Sequence, residues 1–141
     1  MENLKILVCD DSEPVREGLV DLLGKCGVKN IFQLSDGCEV LGFLIKSFEK
    51  ENLEIDLLIT DYIMPKLDGL SLVREIREFH SSNKKLKKYI QKIPIIVATG
   101  EGETNSMISF VEAGVNNYLL KPCDKATLIE KIGETLNCQT F

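Results

Sequence analysis

The sequence predicts an α/β protein of five consecutive strand–helix units, with parallel strands in one sheet and helices on both of its faces. Two observations carry this. Short runs of strand length (residues 4–9, 28–34, 55–60, 93–98 and 118–120) alternate with longer segments whose apolar residues recur at helical spacing. The first, third and fourth runs are also nearly continuous in apolar residues, as strands buried on both faces must be.

The elements follow in order. Residues 4–9 read as the first strand, ending at Asp10-Asp11. Ser12 or Glu13 can cap the helix that follows, and Pro14 suits its first turn. Val15, Leu19, Leu22, Leu23 and Cys26 mark that helix, and Gly27 closes it. Residues 28–34 form a weak second strand, with Ser35-Asp36-Gly37 as a turn. Val40, Leu41, Leu44, Ile45 and Phe48 stripe the second helix. The third strand, 55–60, delivers Asp61, and Pro65 and Asp68-Gly69 mark a loop before a helix resumes near Leu70. That helix carries Leu72, Val73, Ile76 and Phe79. After His80 comes a polar, lysine-rich insertion at 81–92, then the fourth strand at 93–98, closed by Thr99-Gly100-Glu101-Gly102. Met107, Phe110 and Val111 mark the fourth helix, 118–120 the fifth strand, and Asp124 caps a last helix with Leu128, Ile129, Ile132 and Leu136 inward.

The totals narrow the function. At 141 residues, 44% hydrophobic and 28% charged, the chain reads as one soluble globular domain. A net charge of -5 gives no general attraction to nucleic acid or anionic membrane. No apolar run approaches the ~20 residues of a membrane span, and the first residues do not form a signal peptide, which places the protein in the cytoplasm. The five cysteines are scattered without Cys-x-x-Cys spacing, so they read as reduced, mostly core residues. Cys123 stands apart because it follows Lys121 by two positions.

In a parallel sheet all strand ends share one edge, where α/β folds bind ligands. Asp10, Asp11, Asp61, Thr99 and Lys121 each lie at or just past such an end. Two like charges 4 Å apart repel by about 4 kcal/mol at an effective dielectric near 20, so three converging carboxylates need a counter-charge. Oxygen-only ligands favour Mg²⁺ (or Mn²⁺), which commonly completes its shell with a phosphate oxygen. Lys121 adds a flexible positive charge and Thr99 a hydroxyl. Together they make a site for a phosphoryl group, with Asp61 the carboxylate best placed as nucleophile. Taken singly, each feature is as well explained by a solvated turn or a helix cap.

Four motifs in order carry a family resemblance: Asp10-Asp11; Asp61-Tyr62-Ile63-Met64-Pro65-Lys66-Leu67-Asp68-Gly69; Ala98-Thr99-Gly100; and Ala113 through Lys121-Pro122. The chain resembles the receiver domains of two-component response regulators, of the stand-alone, chemotaxis-regulator type, over nearly its whole length. The resemblance implies a flavodoxin-like (βα)5 doubly wound fold with strand order 2-1-3-4-5, in a single receiver domain spanning 1–141 without an output domain. It implies that Asp61 accepts a phosphoryl group from a sensor histidine kinase or a histidine phosphotransfer protein. Asp10, Asp11, Asp61 and the Ile63 carbonyl are the implied metal ligands, Lys121 the implied partner of the phosphoryl oxygens, and Pro122 is implied to be cis. Thr99 and Tyr118 are the implied switch, reshaping the surface of the fourth helix, fifth strand and fifth helix for a downstream effector protein. Gly100 and Gly102 flank the moving loop. The domain is implied to act as a monomer or a phosphorylation-dependent dimer, and to be a phosphoacceptor rather than an enzyme acting on a separate substrate.

Two positions depart from many relatives. Ile63 is apolar and Glu101 acidic where the family tunes hydrolysis of the phosphoryl group, and an apolar Ile63 predicts a long-lived phospho-form. The lysines at 84, 85, 87, 88 and 92 read as a solvated extension of the third helix, with a docking patch for an acidic partner as the sharper alternative. Other functions are weaker. A flavodoxin-type cofactor binder needs a neutral phosphate cradle where Asp10-Asp11 stands. An aspartyl phosphatase needs a substrate cap and a general acid. A scaffold receiver that takes no phosphate has no need of the complete residue set, and a phosphorelay intermediate would pass its group to another protein.

Overall fold

A computed structural model describes residues 1–100 and 107–137, the side chain of Met107 excepted. Glu101, Gly102 and Cys138 lie outside the described residues. Five parallel strands form one sheet: β1 (Lys5–Cys9), β2 (Asn30–Leu34), β3 (Leu57–Asp61), β4 (Ile95–Gly100) and β5 (Asn117–Lys121). Their spatial order is β2-β1-β3-β4-β5, the doubly wound order expected. The helices are α1 (Glu13–Lys25), α2 (Val40–Glu51, after a 3-10 turn Gly37–Glu39), α3 (Gly69–Arg77), α4 (Lys84–Lys92), α5 (Met107–Ala113) and α6 (Lys125–Asn137).

The strand side chains alternate between two cores, as the pleat requires. Leu7, Cys9, Leu58, Ile95 and Val97 face α2, α3, α4 and α5. Ile6, Val8, Ile59, Ile96 and Leu119 face α1 and α6, meeting Leu23, Leu128 and Ile132. Three residues read into the helical stripes lie outside the core: Val15, Val111 and Ile129 are exposed. Of the cysteines, Cys9 is buried and its thiol is pushed up to about 12 by that burial, Cys26 and Cys123 are partly buried, and Cys38 is exposed.

One expectation needs correcting. The lysine-rich stretch is not an extension of the third helix but a separate helix, α4. The Asn83 side chain accepts from the N–H groups of Lys85 and Leu86 (both 3.1 Å), which caps a new helix start. Leu86 and Ile90 are buried against the sheet, each contributing roughly 1.5–3 kcal/mol. Tyr89 stacks on Phe48 (centroids 5.3 Å apart) and its hydroxyl accepts from the Ile55 N–H at 2.7 Å. The apolar residues 86, 89 and 90 thus keep helical spacing among the lysines.

Arg77 ties the inserted helix to the domain. Its guanidinium donates to the carbonyls of Gln91 (3.0 Å), Ile93 (2.7 Å) and Gly114 (3.0 Å) and to Asn116 Oδ1 (2.7 Å). Gly114 adopts φ 100°, and a Cβ there would press on the Arg77 side chain. One partly buried cation therefore joins the end of α3, the end of α4 and the turn into β5. Arg77→Met is expected to lower unfolding stability by about 2–4 kcal/mol in urea denaturation, because several carbonyls lose a charged donor at once. A loss under ~0.5 kcal/mol would mean that water replaces the clamp.

Candidate functional site

The parallel register builds the site. Cys9 pairs with Thr60, so Asp10 and Asp61 leave adjacent strands side by side. Asp61 is the last residue of β3, opposite Ala98 on β4, and Gly100 is opposite Lys121 on β5. Thr99 therefore lies one residue past the partner of Asp61, within β4 rather than after it.

Carboxylate oxygens of Asp10, Asp11 and Asp61 come within 4.8 Å of one another, the one such acid group among the described residues that could hold a metal ion. Asp10 and Asp61 are buried (4% and 8% exposed), and Asp11 is open to solvent. Lys121 crosses from β5 to place Nζ 2.6 Å from Asp61 Oδ1 and 3.7 Å from Asp10 Oδ2. Lys121 and Ala98, the β4 partner of Asp61, line one groove. Burial pushes the Asp61 carboxyl above the usual carboxylate range, the Lys121 hydrogen bond pulls it back, and the Asp10 charge adds to the rise. The donor set is oxygen-only and partly open, which fits a hard divalent cation.

Local structure holds these groups in place. Asp10 Oδ1 accepts from the Ser12 N–H (2.9 Å), and Arg16 Nη1 donates to the Asp10 carbonyl (2.7 Å). Asp10 rather than Ser12 thus serves the start of α1, since the Ser12 side chain makes no capping bond. Beyond Asp61, the loop turns through Lys66 (φ 69°), with the Leu67 N–H donating to the Pro65 carbonyl at 2.8 Å. Asp68 caps α3 through the Ser71 N–H (2.8 Å). Gly69 donates to the Tyr62 carbonyl at 2.7 Å, and any Cβ there would collide with the Asp61 carbonyl. Glycine at 69 is therefore required by close backbone approach to the strand end.

The remaining predicted residues fall around this cluster. Thr99 is fully buried, with its hydroxyl 3.5 Å from the Gly100 carbonyl. Ile63 is 59% exposed beside the loop. The Lys121–Pro122 peptide is cis. Tyr118 is partly buried, with Lys131 Nζ 4.1 Å from its ring centre. Cys123 lines the groove beside Lys121 without joining the acid cluster. Arg16 was missed by sequence reasoning. Nothing local marks it, because its role depends on a neighbour brought by the fold.

The fold and the pocket define a class: a doubly wound α/β domain with a lysine-bridged acid cluster at the carboxyl edge of its sheet. The chain belongs to the response regulator receiver domain family, whose model matches residues 6–133. It is 35% identical to a chemotaxis protein CheY homolog of Campylobacter jejuni over 133 residues, covering 94% of this chain and 92% of the relative. It is likewise 35% identical to chemotaxis protein CheY1 of Helicobacter pylori, over 92% of this chain and 94% of that one. Among solved structures, a putative response regulator from Chloroflexus aurantiacus superposes with TM-score 0.78 at 28% identity, covering 95% of this chain and 98% of that one.

Charge crowding in the cluster yields a prediction. Without divalent cations Asp10→Asn should be more stable than wild type by about 1 kcal/mol, since it removes a buried like charge and keeps the acceptor for Ser12. Mg²⁺ should raise the melting temperature of wild type more than that of the variant. Equal responses to Mg²⁺ in thermal melts would show that the cluster does not bind the cation.

Proposed function

We propose that this chain is a single-domain response regulator whose Asp61 accepts a phosphoryl group from the phosphohistidine of a sensor histidine kinase or a histidine phosphotransfer protein. The observation that carries this reading is the 2.6 Å contact of Lys121 Nζ with Asp61 inside the acid cluster. In the transfer, an Asp61 carboxylate oxygen bonds to phosphorus as the phosphorus–nitrogen bond to the donor imidazole breaks. Asp10, Asp11 and Asp61, with the Ile63 carbonyl, would hold Mg²⁺ (or Mn²⁺), which supplies charge neutralisation for the incoming phosphoryl oxygens. Lys121, already bound to Asp61, remains to pair with the new oxygens.

The added charge favours a state in which Thr99 and Lys121 close on the phosphoryl group, and Tyr118 moves inward as Thr99 vacates its position. The family's output surface corresponds here to α5, β5 and α6, because the extra α4 shifts the count. Ile108 (75% exposed), Val111 (72%) and Leu120 (41%) are apolar on α5 and β5. They support a surface that works by contact with a downstream effector protein. We place this exchange in the cytoplasm. Among the described residues no helix is long and apolar enough to cross a membrane.

Intact mass after incubation with Mg²⁺ and a small phosphodonor tests the acceptor. One phosphoryl group is expected on wild type, none on Asp61→Asn, and none after chelation of the metal. No addition from any donor, including purified kinases, would favour a scaffold receiver. Loss of the group to an added histidine phosphotransfer protein would favour a phosphorelay intermediate. The exposed Ile63 yields a second prediction: Ile63→Asn should shorten the phospho-form half-life several-fold, because a polar side chain there admits and orients the attacking water. Equal half-lives would remove Ile63 as the determinant.

A further inference from the structure

Helix α4 carries five of the chain's 17 basic residues and none of its 22 acidic ones. Its burial of Leu86 and Ile90 explains why it folds, but not why its outer face is all lysine. Lys84, Lys85, Lys88 and Lys92 are exposed. Among the described residues, the four ion pairs involve none of them. Lys84 and Lys88, and Lys88 and Lys92, lie one turn apart and repel. Lys84 and Lys85 also stand at the positive end of the helix dipole. This placement opposes helix formation, in a protein whose net charge is -5.

The same lysines edge a groove of about 730 Å³. Its apolar wall includes Leu4, Phe48, Ile55, Tyr89, Pro94 and Leu136, and Lys85, Lys88 and Lys92 form one side. Glu54 and Asp56 stand among the other lining residues, Asp56 already accepting from the Lys5 N–H at 2.9 Å. Leu4, Asp56 and Pro94 directly precede β1, β3 and β4, so the groove lies at the amino edge of the sheet, opposite the Asp61 cluster.

We infer that this groove and the lysine face of α4 dock an acidic, amphipathic segment of a partner protein. Its apolar side chains would rest against the Phe48–Tyr89 stack and Leu136, and its carboxylates would pair with Lys85, Lys88 and Lys92. Charge complementarity selects this occupant: the face is basic and unpaired, and the floor beside it is apolar. A nucleic acid or a lipid surface would meet the charge but leave the apolar groove unfilled. The site leaves the Asp61 edge open, so a partner held here can stay bound while the phosphoryl group comes and goes.

The test uses ¹⁵N-labelled full chain titrated with a synthetic peptide of alternating Glu and Leu/Phe turns, with an all-Glu peptide, duplex DNA and phosphatidylglycerol vesicles as comparisons. The amphipathic peptide is expected to shift amides of α4, Phe48 and Leu136 saturably and to bind more tightly than any comparison. Its affinity should fall with salt. Lys85→Glu/Lys88→Glu should weaken it roughly tenfold or more. That variant should melt no lower than wild type, because an acid at 85 suits the helix start and one at 88 faces Lys84 and Lys92 one turn away, and should take phosphate at Asp61 as before. Shifts outside the groove, equal binding by the charge-reversed variant, or tighter binding of the all-Glu peptide, DNA or vesicles would each overturn the inference.

Discussion

The structure depends on keeping three carboxylates together against their own repulsion. Asp10 and Asp61 are fixed by backbone that the sheet's hydrogen bonds hold in place, so they cannot separate without breaking β1 from β3. The Lys121 ammonium offsets part of the charge from two strands away. The repulsion that remains is what fits the cluster to a hard divalent cation. Repulsion held by a rigid scaffold is stored binding energy, and it makes the pocket responsive to ligands of the right charge.

The scaffold achieves this through short-range backbone fits. Gly69 lets the start of α3 approach the Asp61 carbonyl, and Asp10 binds the amide at the start of α1 with the same carboxylate that faces the cluster. The helices behind the site therefore hold it in position. Arg77 does comparable work away from the site, holding α3, α4 and the turn before β5 through four hydrogen bonds. The inserted helix is consequently part of the core, and its lysine face is presented in a fixed orientation.

Much of this was legible because two periods are strong in the chain. Continuous apolar runs marked the strands, and Asp61, Thr99 and Lys121 stood out as polar residues at their ends. The parallel arrangement followed from alternation, and with it the convergence of residues far apart in sequence. The stretch 81–92 was misread because its lysines mask a sparse apolar stripe, and because an Asn cap has meaning only once a helix is known to follow. Val15, Val111 and Ile129 fit the helical stripes yet stay exposed, since a stripe sets a face and not the width of that face covered by neighbours.

The sequence by itself determined the fold class, the strand order through its family resemblance, and the identity of the acid, hydroxyl and lysine groups. These follow from local periodicity and from the rule that parallel strands end on one edge. Only the tertiary structure decided that Lys121 reaches Asp61 across β4, that Arg77 clamps three segments, and that α4 turns its lysines outward beside an apolar groove. Those features are distances between groups on different elements, and such distances are set by packing, which no local pattern encodes.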